Sequence, residues 1–161
     1  MIILIEGLVA VALFTIITIP ATLKNPLTAL SDYPPEIVKR CVELGIVPER
    51  EKRFSTMDII RKTVAVVVFI IVFALIIKKF NKANTFLEGF TISYILWMII
   101  AWYDALIVDC LWFCHSKKVR IPGTEDMKEY QDYGFHIKQS LIGSLIGLPA
   151  CALIGLVVTI I

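Results

Sequence analysis

Several patterns that would indicate a function directly are missing from this sequence. No internal repeat is visible, so an inverted-repeat transporter within one chain is not supported. The four cysteines, at positions 41, 110, 114 and 151, include no CxxC pair, which argues against quinone-linked thiol chemistry. With three of these thiols expected to face a reducing compartment, a disulfide framework is not indicated either. The two histidines match no standard zinc-ligand spacing.

Basic residues are missing from the first stretch of the chain. No lysine or arginine precedes Lys24, so Met1–Ala21 lacks the basic region of a secretory signal peptide. This stretch also carries Glu6, and its apolar run is longer than that of a typical signal. We therefore expect a retained first membrane span.

Apolar residues dominate what is present. They make up 58% of the 161 residues, and the mean hydropathy is +0.80, both higher than in an ordinary soluble domain. Four stretches reach or approach the length needed to cross a bilayer core of about 30 Å as a helix. They are residues 2–23, 59–77, 86–113 and 140–161. The sequence therefore predicts an all-α polytopic membrane protein, a four-transmembrane-helix bundle in which residues 1–161 form a single domain.

The distribution of lysine and arginine predicts the orientation. Residues 24–62 hold eight of them and residues 115–139 hold five, against three in the turn 78–85. The positive-inside rule then places loops 24–58 and 114–139 in the cytoplasm and both termini outside, although the three lysines of the outer turn oppose it. The net charge of +2 is spread over these loops, so we expect contact with the lipid bilayer and none with nucleic acid.

A short amphipathic helix is predicted in the first cytoplasmic loop. Pro35 suits the first helical position, and Ile37, Cys41 and Leu44 share one face. Gly45 offers a C-terminal cap. The apolar face predicts a position on the bilayer surface or against the bundle, and an ordinary loop helix is the alternative.

Small residues recur every four positions along the fourth span. Gly143, Gly147 and Gly155 lie on one stripe, which permits close approach of another helix. The partner is either another span of the same chain or a second copy, in which case the protein is a homo-oligomer through its fourth span.

Ionisable residues collect at the end of the third span, where they are costly and often mark a site. At about 100° per residue of an α-helix, Asp104 and His115 fall nearly in line, whereas Asp109 points roughly 140° away from Asp104. Asp104, Asp109 and His115 are therefore the candidate catalytic residues, the aspartates handling protons or orienting the imidazole.

Charged residues follow directly after His115. Three basic side chains and two acidic ones are candidates for binding an anionic lipid or a small polar ligand, with simple anchoring at the membrane interface as the alternative. They are Lys117, Lys118, Arg120, Glu125 and Asp126.

Three other interpretations remain open. A divalent metal is the only cofactor indicated, because His115 and His136 flank the same loop and a hairpin can bring them together. An oligomeric transporter or channel subunit is the second, with Asp104, Asp109 and Glu6 lining a cation path. A structural or assembly subunit joined through the glycine stripe is the third.

Two motifs carry a resemblance. Residues 103–117 read YDAxxxDxxWFCHSK and residues 120–127 read RIPGTEDM, with Asn25-Pro26 and Tyr33-Pro34-Pro35 upstream. Together they resemble a group of small, uncharacterised four-span bacterial membrane proteins, common in anaerobic Gram-positive bacteria and sometimes labelled transporter permeases. The resemblance implies four spans and a bacterial plasma membrane. It implies no reaction.

Overall fold

The computed structural model describes residues 2–49 and 56–161, apart from the side chain of Asp58. These described residues are 83% helical and form no strand. The α-helices are α1 (Ile2–Lys24), α2 (Pro35–Glu43), α3 (Thr56–Asn81), α4 (Phe86–Tyr103) and α5 (Tyr133–Ile160). A π-helix, Asp104–Phe113, continues α4, and short 3₁₀ helices span Pro26–Asp32, Lys117–Val119 and Lys128–Gln131. Positions 50–55 of the predicted loop 24–58 lie outside the described residues.

Within the described residues, four helices are long and apolar enough to cross a membrane. They are Ile2–Lys24, Ile59–Asn81, Phe86–Phe113 and Tyr133–Ile160. Large apolar side chains such as Leu8, Ile16 and Leu145 are about two-thirds exposed on these helices (69%, 67% and 67%), as suits a surface that faces lipid. The predicted all-α class with four membrane helices is confirmed.

Capping side chains define the starts of two membrane helices, of which the fourth span departs from its predicted boundary and the third begins at residue 86 as predicted. The fourth span begins at Tyr133 and not at residue 140, because the Asp132 carboxylate accepts the backbone N–H of Phe135 at 2.9 Å. At the start of α4, Glu88 accepts the N–H of Thr85 at 3.0 Å while Thr85 Oγ1 accepts the N–H of Glu88 at 3.3 Å. This reciprocal capping box ends the turn that follows α3.

The contacts within the chain define two compact units. The described residues of Met1–Leu8, Glu51–Ile99 and Gly143–Ile161 form the first. Its apolar core comprises Ile70, Ala74, Ile77, Ala83, Ile154 and Val158. Trp97 Nε1 donates a hydrogen bond to the carbonyl oxygen of Gly143 at 3.1 Å, which joins α4 to α5.

Two members of the glycine stripe pack against α4. A Cβ atom added to Gly155 would lie 2.8 Å from the carbonyl oxygen of Phe86, and one added to Gly147 would lie 2.6 Å from Trp97 Cδ1. A Cβ atom on Gly143 would meet nothing within 4 Å. The structure thus assigns an internal partner to Gly147 and Gly155, while assembly of two copies through this span stays a prediction.

The second unit comprises Val9–Arg50, of which residue 50 is not described, and Ile100–Ile142. Its apolar core comprises Tyr33, Ile37, Cys41, Phe113, Val119, Ile121 and Tyr130. The amphipathic helix α2 therefore packs Ile37 and Cys41 of its apolar face into this protein core, while Leu44 on the same face is 41% exposed. Gly45 ends α2 with φ +70°, and the N–H of Ile46 reaches the carbonyl of Cys41 at 2.9 Å, so the predicted C-terminal cap is present.

Candidate functional site

The polar end of the third span is a π-helix, and this changes which of its side chains lie together. The N–H of Cys114 donates to the carbonyl of Asp109 at 2.9 Å, a bond from residue i to residue i+5. Because a π-helix holds more residues per turn than an α-helix, Asp104 and Asp109, five positions apart, project closer to one side than α-helical spacing allows. The predicted separation of about 140° was wrong because it assumed α-helical spacing.

Asp104 and Asp109 line one cavity with a third aspartate. The cavity has a volume of about 310 Å³ and lies within the second unit. Its walls are Phe14, Thr18, Thr22, Ala29, Asp32, Asp104, Val108, Asp109 and Phe113. None of these side chains is basic, so the described lining carries three carboxyl groups and no compensating lysine or arginine.

Asp32, at the end of a 3₁₀ helix, is the member of this group that sequence reasoning missed. Only folding brings it to Asp104, far along the chain, so no spacing rule reveals it. Although its side chain keeps access to solvent, desolvation raises the pKa of Asp32, and the nearby Asp109 carboxylate raises it further. The Ser31 hydroxyl, which donates to Asp32 Oδ1 at 3.3 Å, opposes the increase.

His136 contacts Asp109 directly. Its Nδ1 lies 3.2 Å from Asp109 Oδ2, and its side chain is 2% exposed. The rings of Phe113 and Phe135 pack against the imidazole in T-shaped contacts, at centroid distances of 5.5 and 5.3 Å. Nε2 has no hydrogen-bond partner among the described residues. The sequence had singled out His136 only as a metal ligand, because it was expected in a loop, and the early start of α5 buries it.

His115 lies elsewhere in the second unit. Its Nδ1 is 3.1 Å from the carbonyl oxygens of Cys110 and Leu111, an arrangement that caps the end of the π-helix, and its Nε2 is 3.3 Å from Tyr133 Oη. The side chain is exposed and does not line the acidic cavity. The described contacts therefore do not join His115 to Asp104 or to His136.

The metal interpretation gains no geometric support from the described part of the chain. It holds no group of three or more His, Cys, Asp or Glu side chains arranged to hold a metal ion. The three aspartates thus line the cavity without converging on one point. A divalent metal stays an untested prediction.

Most of the predicted ligand-binding residues surround a second, more open depression of about 470 Å³. Its lining residues are Lys117, Arg120, Glu125, Asp126, Met127, Lys128 and Gln131, so Lys118 is the predicted member that does not line it. Arg120 already donates to the carbonyls of Glu125 and Met127 at 3.2 and 3.3 Å and stacks 4.2 Å from the Tyr130 ring centroid. This guanidinium therefore stabilises the loop.

Glu6, the other acidic residue proposed for a cation path, has a partner in the first unit. Its two carboxylate oxygens accept hydrogen bonds from Asn81 Nδ2 at 2.8 and 3.0 Å. This contact links α1 to the end of α3, so Glu6 contributes to packing between helices whether or not it lines a path.

Comparison of the chain with protein-family models, with curated proteins and with solved structures finds no match. Chemically, the acidic cavity combines carboxyl groups, threonine side chains and phenylalanine side chains. Such a lining can neutralise a cation and pack against its apolar part.

Proposed function

We propose that this membrane protein binds a small organic ammonium ion in the acidic cavity, as the substrate site of a transporter or membrane-bound receptor. The observation that carries this proposal is the lining: Asp32, Asp104 and Asp109 share one cavity, and no basic side chain is found among its described lining residues. Several carboxyl groups gathered beside a membrane span are expensive, so a cation or protons must offset their charge. The proposal extends the interpretation, drawn from the sequence, that aspartates of the third span line a path for cations.

The size and lining of the cavity favour an organic cation over a bare metal ion. A cavity of about 310 Å³ is far larger than one dehydrated metal ion fills and is comparable in size to small-molecule pockets. Phe14, Phe113 and Val108 give part of the wall an apolar surface. Aromatic rings attract ammonium groups through cation–π interactions, while the aliphatic part of an amine gains from apolar contact.

Anionic lipid binding at the second depression is the other candidate function. Lys117, Arg120 and Lys128 line that depression together, which supports attraction to anionic headgroups. Glu125 and Asp126 offset part of this charge, and Arg120 is engaged in the loop. We therefore rank this candidate second. A double Lys117→Ala, Lys128→Ala variant that binds phosphatidylglycerol vesicles as well as the native protein does would exclude it.

For location, we propose a bacterial plasma membrane with both termini outside. The basic residues of the loops support this orientation, and it puts the second unit's loops in the cytoplasm. The acidic cavity then serves ligands that bind from, or leave to, the cytoplasmic side.

The proposal is tested by calorimetry on the protein in lipid nanodiscs, titrated with n-butylammonium, tetramethylammonium or potassium chloride. We expect saturable butylammonium binding that Asp104→Asn weakens about tenfold or more, as loss of a charge-assisted contact does. Asp126→Asn is the matched control, since Asp126 is exposed and outside the acidic cavity. No organic ammonium binding, or equal losses in the two variants, would refute the proposal.

A further inference from the structure

We propose that the acidic cavity selects a primary ammonium group over a quaternary one, and that the hydroxyl of Thr22 contributes to this selection. This inference rests on the proposed function and deepens it, because the proposed function leaves open which kind of organic ammonium ion binds. The two kinds carry the same charge. They differ in their hydrogens: a primary ammonium group has three N–H donors, whereas a quaternary one has none.

The polar part of the cavity lining consists of groups that accept hydrogen bonds. Its described members are three aspartates and two threonines, Thr18 and Thr22. An ionised carboxylate accepts hydrogen bonds and donates none, while a hydroxyl can do both. No lysine, arginine, asparagine or glutamine is found among the described lining residues. A ligand that brings its own N–H donors therefore matches this lining.

The role of the Thr22 hydroxyl is fixed by its position on α1. The residue is 3% exposed, and its Oγ1 donates to the backbone carbonyl oxygen of Thr18 at 3.0 Å. A threonine hydroxyl has one proton and two lone pairs. Because the proton is used within the helix, this hydroxyl serves a ligand as an acceptor and not as a donor.

The aromatic side chains of the lining favour a quaternary ion less than their number suggests. Several open ring faces around one point are typical of sites for quaternary ammonium ions. Phe113, however, is 3% exposed, and its ring already packs against Tyr33 and Tyr130 at centroid distances of 4.8 and 6.3 Å. Phe14 is the other aromatic residue of the described lining. One ring attracts either kind of ammonium ion, so the choice falls to the acceptors.

The experiment compares two ligands with the same butyl chain and the same charge, n-butylammonium and butyltrimethylammonium. Calorimetry on the native protein in lipid nanodiscs measures both affinities under one condition. We expect n-butylammonium to bind about tenfold more tightly or better, because only the primary ion forms charge-assisted hydrogen bonds with the lining. This comparison needs no variant, so it stands whether or not a substitution in α1 folds.

Thr22→Val separates hydrogen bonding from size, because valine replaces the hydroxyl with a methyl group of similar size. It should weaken n-butylammonium binding about threefold to tenfold, the effect of one hydrogen bond, and leave butyltrimethylammonium binding unchanged. Thr22→Ser, which keeps the hydroxyl, should retain the native preference. Thr28→Val is the matched control: Thr28 is exposed, lies outside the described cavity lining, and likewise donates to a backbone carbonyl, that of Asn25 at 2.8 Å.

The outcomes separate this inference from the proposed function. If the native protein binds both ions equally, or prefers the quaternary one, the selection is refuted while the proposed function stands. If Thr22→Val weakens both ions alike or neither of them, or if Thr22→Ser behaves as Thr22→Val does, the role given to the Thr22 hydroxyl is refuted. If neither ion binds to the native protein, the proposed function itself fails.

Discussion

Replacing glycine with alanine should leave the protein less stable at Gly155 of α5 than at Gly143 of the same helix. At Gly155 the new methyl group would lie 2.8 Å from the carbonyl oxygen of Phe86 and 3.0 Å from the amide nitrogen of Phe90. Optimal separations are about 3.5–4.0 Å, and backbone atoms cannot turn aside as side chains do. At Gly143 nothing lies within 4 Å of the new atom.

The magnitude follows from two opposing effects. Alanine favours a helix over glycine by about 0.8–1 kcal/mol, and this gain applies at both sites. Overpacking costs about 1–3 kcal/mol and applies only at Gly155. We therefore expect Gly143→Ala to raise the free energy of unfolding by up to about 1 kcal/mol, and Gly155→Ala to lie about 1–3 kcal/mol below it.

Reversible unfolding in mixed micelles, followed by circular dichroism during titration with dodecyl sulfate, measures both variants under one condition. Gly89→Ala gives an independent check, since its methyl group would lie 3.0 Å from Val158 Cβ and 3.1 Å from Gly155 Cα. It should resemble Gly155→Ala. If the Gly143 and Gly155 variants have equal stability, α4 and α5 do not approach each other at these glycines and the assigned helix contact is wrong.

Four further predictions concern the second unit and the orientation. Tyr130→Phe should lower the free energy of unfolding by about 1–3 kcal/mol in the same titration, because it leaves the buried N–H of Ile121 without its acceptor at 2.9 Å. Because burial and Asp109 raise the pKa of Asp32, its carboxyl stays protonated to higher pH than usual. Butylammonium affinity should therefore increase as the pH rises through the pKa of Asp32. Asp32→Asn should remove this increase when the affinity is measured by calorimetry at several pH values. Burial raises the pKa of Cys114 to about 12, so this thiol should react with maleimide at neutral pH only after unfolding, as mass spectrometry can show. In intact cells, a membrane-impermeant maleimide should label Lys82→Cys and spare Lys118→Cys; the reverse pattern would invert the proposed orientation.

Local sequence chemistry was enough to predict much of the fold. The apolar stretches predicted four spans, because bilayer thickness sets the length of a membrane helix. Pro35 and Gly45 predicted where α2 begins and ends. The start of α5 was missed, although Asp132 is a good N-cap residue, since polar residues after it resembled a loop. The start of α5 is therefore set by the Asp132 cap and not by the point where hydropathy falls.

The candidate site was only partly accessible to such reasoning. Asp104 and Asp109 were selected because ionisable residues are costly in a membrane span, and both do line the acidic cavity. His115 was placed beside Asp104 by α-helical spacing, and the π-helix removes that juxtaposition. A change of helix type depends on the surrounding packing, which spacing rules do not include.

The sequence by itself determined the membrane class, the number of spans and the segment where costly charges collect, because these depend on composition and length along the chain. Tertiary structure alone decided that Asp32 joins the two aspartates and that His136, not His115, contacts Asp109. It also assigned Gly147 and Gly155 to packing against α4. The physical reason is the same in each case: these contacts join residues far apart in the chain, and their formation depends on how helices pack in three dimensions and not on local periodicity.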